Sequence, residues 1–170
     1  MSRLKITGLV ALCVFMLHSC KVSYSFSGIN IQTDVHSITV NYFENRDPMS
    51  PSLANNLTNE LIDKYRKLTK LDILPEDGDL EVSGTITGYN VTYGAVTADE
   101  TPALNRLTIT IEIKYVNKLH SEDDIERQSL SKYADFDSNM NIDSVRSQLE
   151  EEIIELLVEE IFNATVAQWK

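Results

Sequence analysis

Asp135, Asp137, Asn139, Asn141 and Asp143 fall at every second position, the spacing with which a calcium-binding loop presents its oxygen ligands. The pattern fails at its two most demanding places. Met140 stands where the sharp turn of such a loop needs glycine, and Arg146 where a bidentate glutamate should close the shell. A cation in place of the main ligand defeats the site, so the stretch reads as a polar connection from a strand to a helix. His36 and His120 are isolated and have no cysteine partner, which makes a poor metal site; both read as surface residues. The chain has no Gly-x-Ser-x-Gly elbow, no glycine-rich phosphate loop and no His-Glu-x-x-His helix. These observations predict no catalytic residue, no metal and no cofactor: the protein is not expected to be an enzyme.

One residue is placed for covalent chemistry. Arg3 and Lys5 precede an apolar run from Ile6 to Leu17. At about 12 residues this run is too short to span a bilayer, which takes about 20, and has the parts of a secretory signal. Leu17-His18-Ser19-Cys20 follows it and resembles a bacterial lipobox, with Leu at −3, a small residue at −1 and Cys at +1; His18 departs from the usual pattern. Residues 1–19 are therefore expected to be a lipoprotein signal peptide, and Cys20 the lipidated first residue. A diacylated thiol and an acylated amine, with chains such as palmitate, make a stable anchor where one chain does not. Cys13 leaves with the leader, so Cys20 is the only thiol of the mature chain and no internal disulfide can form. Lys21 is not the Asp of inner-membrane retention, which favours the outer membrane.

The leader takes away two of the 15 basic groups and none of the 26 acids, leaving a net charge of −13. That balance excludes a nucleic-acid partner, which needs a basic surface to displace counterions. It also argues against passive attraction to an anionic membrane surface.

Behind the anchor, residues 20–34 read as a polar and aromatic linker with a short strand around 22–27. Ile38, Val40 and Tyr42 alternate with Ser37, Thr39 and Asn41 as a half-buried strand. Ser50-Pro51 should open a helix, with Ser50 as N-cap. Leu53, Leu57, Leu61, Tyr65 and Leu68 form its apolar stripe, and its end is expected near Lys70. Three strand-like runs follow. Leu80, Val82, Gly84 and Ile86 share one parity; beyond Gly88, read as a bulge, Tyr89, Val91 and Tyr93 take the other. Leu107, Ile109, Ile111, Ile113 and Tyr115 alternate cleanly, and residues 126–136 do so weakly around Leu130 and Tyr133. A long helix over 143–169 closes the chain, with Asp143 as N-cap candidate and Val145, Leu149, Ile153, Leu156, Leu157, Ile161, Ala164 and Trp169 on its apolar side.

The order β-α-β-β-β-α predicts an α+β two-layer sandwich over residues 35–170, with two helices on one face of a mainly antiparallel four-stranded sheet. About 150 residues bury enough surface for such a core to stand without metal or disulfide. The other face of the sheet is rich in threonine: Thr39, Thr85, Thr87, Thr108 and Thr110. A polar, uncharged, β-branched face suits water or a polar surface such as the lumen wall of a β-barrel. The loop over 95–105 is long enough to reach beyond the sheet. Glu150, Glu151, Glu152, Glu155, Glu159 and Glu160 read as the solvated side of the last helix or as a dock for a basic partner. Asp143-Ser144-Val145 resembles the O-glycosylation sequence of Bacteroidota and equally serves as a helix start, so modification of Ser144 is left open.

Several stretches together resemble the LptE family of lipopolysaccharide-assembly lipoproteins in its Bacteroidota form. They are YSFSG at 24–28, ITVNYFENR at 38–46, NRLTITIEIKY at 105–115, SKYADFDS at 131–138 and the EEIIELLVEEIFNATVAQW helix. The resemblance implies an outer-membrane lipoprotein on the periplasmic side. Such a protein plugs and helps assemble the LptD β-barrel, and assists transport of lipopolysaccharide to the outer leaflet. It implies two helices against a four-stranded sheet and no enzymatic activity. Lipopolysaccharide is a possible direct ligand, and the basic strand residues Arg106, Lys114, Arg127 and Lys132 are its candidate contacts. The alternative function is a periplasmic lipid-anchored carrier of lipid or glycolipid, which needs a deep apolar cavity between sheet and helices.

Overall fold

The computed structural model describes residues 31–46, 50–94 and 104–166. The leader 1–19, Cys20, the strand expected around 22–27, residues 95–103 of the long loop, and Trp169 lie outside the described residues. The chain runs β1 (Ser37–Val40), β2 (Glu44–Asn45), α1 (Leu53–Leu68), β3 (Asp72–Ile73), β4 (Leu80–Thr92) and β5 (Leu104–Asn117). A 3-10 turn (Ser121–Asp123), β6 (Ile125–Asp137) and α2 (Ile142–Thr165) complete it.

Alternation sets the centre of the sheet. Leu107, Ile109, Ile111, Ile113 and Tyr115 of β5 are all buried on the helix side, while the residues between them point the other way. β4 pairs antiparallel with β5, and its register shifts between Ile86 and Gly88. Thr87 is the extra residue of that bulge, so the inward parity passes from Val82 and Ile86 to Tyr89 and Val91, as the sequence predicts. β6 pairs antiparallel with β5 along most of its length and completes a meander.

The rest of the sheet differs from the expected four-stranded antiparallel layer. Among the described residues it has six strands in the order β3-β1-β4-β5-β6, with β2 also on β4. β1 lies parallel to both β3 and β4, and β2 parallel to β4. Period-two alternation carries no direction. The 16-residue helix between β1 and β3 is the kind of crossover that lets two strands run the same way. β2 and β3 have two residues each, too few for a pattern, and β2 lies in the Asn- and Pro-containing stretch read as a break.

Both helices cover the same face. α1 lies over β1, β2 and β3, α2 over β5 and β6, and the two touch each other. Leu53, Leu57, Leu61 and Tyr65 bury the α1 stripe, but Leu68 is 47% exposed. Ser50 does not cap α1. Ser52 holds the cap position without a side-chain bond, and the Ser50 hydroxyl instead donates to Glu150 Oε2 at 3.0 Å. α2 is capped by Asn141, whose side chain accepts from Asp143 N at 3.0 Å, so Asp143 falls in the first turn. α2 buries two stripes. Leu149, Ile153, Leu157 and Ile161 recur along the sheet-side register, and Ile154, Val158, Phe162 and Thr165 run beside them. Phe162 meets the Tyr65 ring at 5.4 Å, and Thr165 Oγ1 lies 2.6 Å from Tyr65 OH.

The start of the described chain is clipped to the β5–β6 turn. His120 Nε2 lies 3.0 Å from both carboxylate oxygens of Asp34, and Gln32 Nε2 donates to Asp123 Oδ2 at 2.5 Å. The Asp34 bond raises the His120 pKa above its ordinary 6.5. The same bond lowers that of Asp34 below 3.8. The clip is therefore complete between the ordinary carboxylate and histidine values. It is lost as pH rises through the raised histidine value, and again as pH falls through the lowered aspartate value. Amide exchange at residues 32–35 should accelerate above neutral pH in the native chain by more than intrinsic exchange predicts, and His120→Gln should remove that step.

Candidate functional site

The face of the sheet away from the helices is the surface with features of a site. Register pairs Asn90 with Thr108, Ser83 with Lys114, Thr110 with Ser131, and Arg106 with Asp135 across β4, β5 and β6. Thr85, Thr108 and Thr110 are half-buried by their neighbours and Thr87 is exposed. Thr110 Oγ1 lies 3.1 Å from Ser131 Oγ. Short hydroxyls at successive positions give a flat, uncharged middle. Thr39 is not part of it: it is 1% exposed, and its hydroxyl accepts from Gly78 N at 2.9 Å under the turn before β4.

Charge collects at the two ends of this face. At one end Arg106 makes a two-point bond to Asp135, at 2.7 and 2.9 Å, with its guanidinium 3.6 Å over the Tyr133 ring. That bond holds the Asp135 carboxyl below the usual range. Tyr133 is thus an open-face residue, 51% exposed, and Ala134 and Phe136 supply the buried parity of β6 instead. At the other end Arg127 Nε donates to Glu112 Oε2 at 2.5 Å. Lys114 is exposed beside them and has no carboxylate within ion-pair distance among the described residues. A shallow depression of about 260 Å³ lies there, lined by Tyr42, Glu44, Ser83, Thr85, Glu112 and Lys114. Eight residues of β5 separate Arg106 from Lys114, about 27 Å.

Three of the four candidate basic residues therefore share the open face, at opposite ends, and the fourth does not. Lys132 has the helix-side parity of β6 and lies 2.6 Å from Glu160 of α2. That contact is within ion-pair distance but off hydrogen-bond geometry, so the ammonium holds the buried Glu160 Oε2 by charge rather than by a directed bond.

The acidic run of α2 is only partly a solvated face. Glu151, Glu152 and Glu155 are exposed, whereas Glu150 is 6% exposed. Its carboxylate accepts from Ser50 Oγ and, at 2.9 Å, from Tyr89 OH. Arg146 Nη1 donates to the same Tyr89 oxygen at 3.0 Å. Burial, then the Glu150 carboxylate, push the Tyr89 phenol up to about 12, which keeps it a donor. This node joins α2, the entry to α1 and the bulged end of β4. Nothing in a run of three glutamates singles out the first of them; the position of Tyr89 does.

The calcium-like series is dispersed. Asp135 serves Arg106, Asp137 Oδ1 accepts from Asn139 N at 2.8 Å, Asn141 caps α2 and Asp143 pairs with Arg146. Among the described residues no acidic or histidine cluster could hold a metal. Ser144 is exposed, with its hydroxyl donating to Asn141 O at 2.7 Å. Among the described residues the sheet–helix interface is filled: Ile86, Ile109, Ile111, Leu157 and Ile161 are fully buried there. The larger cleft, about 680 Å³, lies between the helices, lined by Glu60, Lys64, Lys67, Glu150, Ile154 and Val158 among others.

Residues 35–165 match the family described as "LptE: Lipopolysaccharide-assembly". The chain belongs to that family. The LptE match spans all the described strands and helices. No curated protein matches the chain. Among solved structures it is similar to a hypothetical protein of Chlamydia trachomatis, at 12% identity and TM-score 0.51, over 79% of this chain and 99% of that one. It is also similar to a protein of Xanthomonas campestris, at 9% identity and TM-score 0.51, over 81% of this chain and 90% of that one. Likeness at this identity shows the fold alone. What LptE membership establishes is a place among lipopolysaccharide-assembly lipoproteins, a family whose work is non-enzymatic.

Proposed function

We propose that this LptE protein is tethered through Cys20 to the periplasmic side of the outer membrane. It enters the lumen of an LptD-type β-barrel, helps that barrel assemble, and assists lipopolysaccharide transport to the outer leaflet. The family match over residues 35–165 carries the reading. The wide hydroxyl-rich face supports it, because a barrel lumen is polar and packs well against uncharged side chains. The carrier alternative has no support in the filled core.

Direct contact with lipopolysaccharide phosphates would fall to Arg106, Lys114 and Arg127. Lys132, turned toward α2, leaves that set. Arg106 and Arg127 already hold carboxylates, so a phosphate must compete for them, while Lys114 is available. A photoreactive residue at Thr85 or Thr108 should give an adduct with a large outer-membrane β-barrel, and one at Asn55 on α1 should give less. Absence of any barrel adduct from either threonine, together with no barrel in outer-membrane copurification, would overturn the reading.

A further inference from the structure

The open face is flat in its middle, but strand register builds a trough at its Lys114 end. Ser83 and Thr85 of β4 are the floor, both short and half-buried. Glu44 of β2 lies opposite Thr85 on one side, with Tyr42 two residues before it. Lys114 and Glu112 of β5 lie opposite Ser83 and Thr85 on the other. Long side chains on β2 and β5 therefore stand two strand spacings apart, about 10 Å, over a floor of hydroxyls. Glu126 of β6 lines the trough as well. Its volume of about 260 Å³ is below the roughly 300–1,000 Å³ of pockets for drug-sized ligands. It has room for one small ring.

The lining selects the kind of ring. Tyr42 is 60% exposed, so a flat aromatic surface stands open at the wall. The hydroxyls of Ser83 and Thr85 donate and accept, the glutamate carboxylates accept, and the Lys114 ammonium donates. A sugar ring matches this set: hydroxyls around its rim give and take hydrogen bonds, and its C–H face lies flat on an aromatic ring. A phosphate does not match. It can touch Lys114 from above, but inside the trough it would sit among Glu44, Glu112 and Glu126, and like charges repel it. Among the described residues no cluster there could hold a metal ion.

We propose that this trough binds one pyranose ring, stacked on Tyr42 and bonded to Ser83, Thr85, Glu44 and Lys114. The ring belongs to the saccharide part of lipopolysaccharide. That choice of source rests on the proposed function; the preference for a sugar does not.

The test is saturation-transfer NMR on the full acylated chain, in micelles of a detergent without a sugar headgroup. The probes are the oligosaccharide left when lipopolysaccharide is stripped of its acyl chains, the same oligosaccharide after phosphatase, and a linear glucan of similar length. Transfer to ring protons is expected from both oligosaccharides, with dissociation constants within about threefold of each other, and excess inorganic phosphate should not displace them. Tyr42→Ala should weaken binding about tenfold, and Tyr42→Phe by less than about threefold, because the ring carries the contact. Ser83→Leu fills the floor at a half-buried position off the core and should abolish binding at unchanged stability. No transfer, loss of binding after phosphatase, or unchanged binding in Tyr42→Ala and Ser83→Leu would overturn the site. Equal affinity for the glucan would overturn the choice of source. Barrel adducts without sugar binding would sink this inference alone, and sugar binding without barrel adducts would sink the barrel reading alone.

Discussion

Phe43→Ala is expected to lower the unfolding free energy by about 3–5 kcal/mol, the range for emptying a fully buried aromatic site. Phe43 is 0% exposed. It sits in the kink between β1 and β2, with its amide donating to Thr58 Oγ1 at 3.1 Å, and its ring fills the space over Gly84 of β4. A Cβ on Gly84 would lie 2.3 Å from Phe43 Cε1 and 2.8 Å from the Glu112 carbonyl oxygen. Gly84→Ala should therefore cost about 3 kcal/mol by overpacking. The two changes should not add. With the ring gone, the new methyl group loses one of its two clashes, so the double variant should recover about 1–3 kcal/mol of the sum. The Glu112 carbonyl is backbone and cannot step aside, so recovery should be incomplete. Urea midpoints at unchanged m-value give all three numbers. Additivity within about 0.5 kcal/mol would show that ring and glycine do not share that space. The pair matters for the site because it holds β2, and with it Tyr42 and Glu44, at the Lys114 end of the open face.

Thr108→Arg with Thr110→Arg should cut recovery of the barrel complex about tenfold or more, which is about 1.4 kcal/mol or more of interaction. Both threonines lie in the uncharged middle of the face, paired with Asn90, Tyr133, Gly88 and Ser131. Each arginine would bring a long charged side chain with no carboxylate opposite, and a packed lumen contact would have to desolvate it. The fold should tolerate them, since half-exposed strand positions off the core move stability by little, about 0.5 kcal/mol. Purified domain of unchanged urea midpoint together with lost barrel recovery is the expected outcome. Full recovery with both arginines present would mean that the barrel meets another surface.

Substitution sorts the basic residues further. Among the described residues Lys114 forms no ion pair, so Lys114→Gln breaks none, and a loss of lipopolysaccharide transport at unchanged stability would point to the contact itself. Arg106→Glu sets two carboxylates side by side at Asp135 and changes the local structure as well.

Much of the fold was legible because it is written in short-range periods. The β5 alternation, the parity change at the β4 bulge, the α1 stripe and the start of α2 near residue 142 each depend on a few neighbouring residues. Family membership was legible too, from the order of stretches spread along the chain. The site was legible only as a composition, a face rich in threonine. Which threonines remain on it depended on where the turn before β4 folds, and that turn covers Thr39. Lys132 and Arg127 look alike in sequence. Five residues apart on one strand, they have opposite parity, and the weak pattern of β6 did not declare which parity faces the helices.

Taken alone, the amino-acid sequence determined the longer elements, the α+β class and the family, because each rests on residue type at local spacing. Only the tertiary structure decided that β1, β2 and β3 join in parallel, that Ser50 serves Glu150 instead of capping α1, and that Glu150 is buried while Glu151 and Glu152 are not. Those outcomes depend on segments tens of residues apart meeting in space. Ser50 and Glu150, 100 positions distant, are bonded only because α2 lies across α1, and no local period can encode such a crossing.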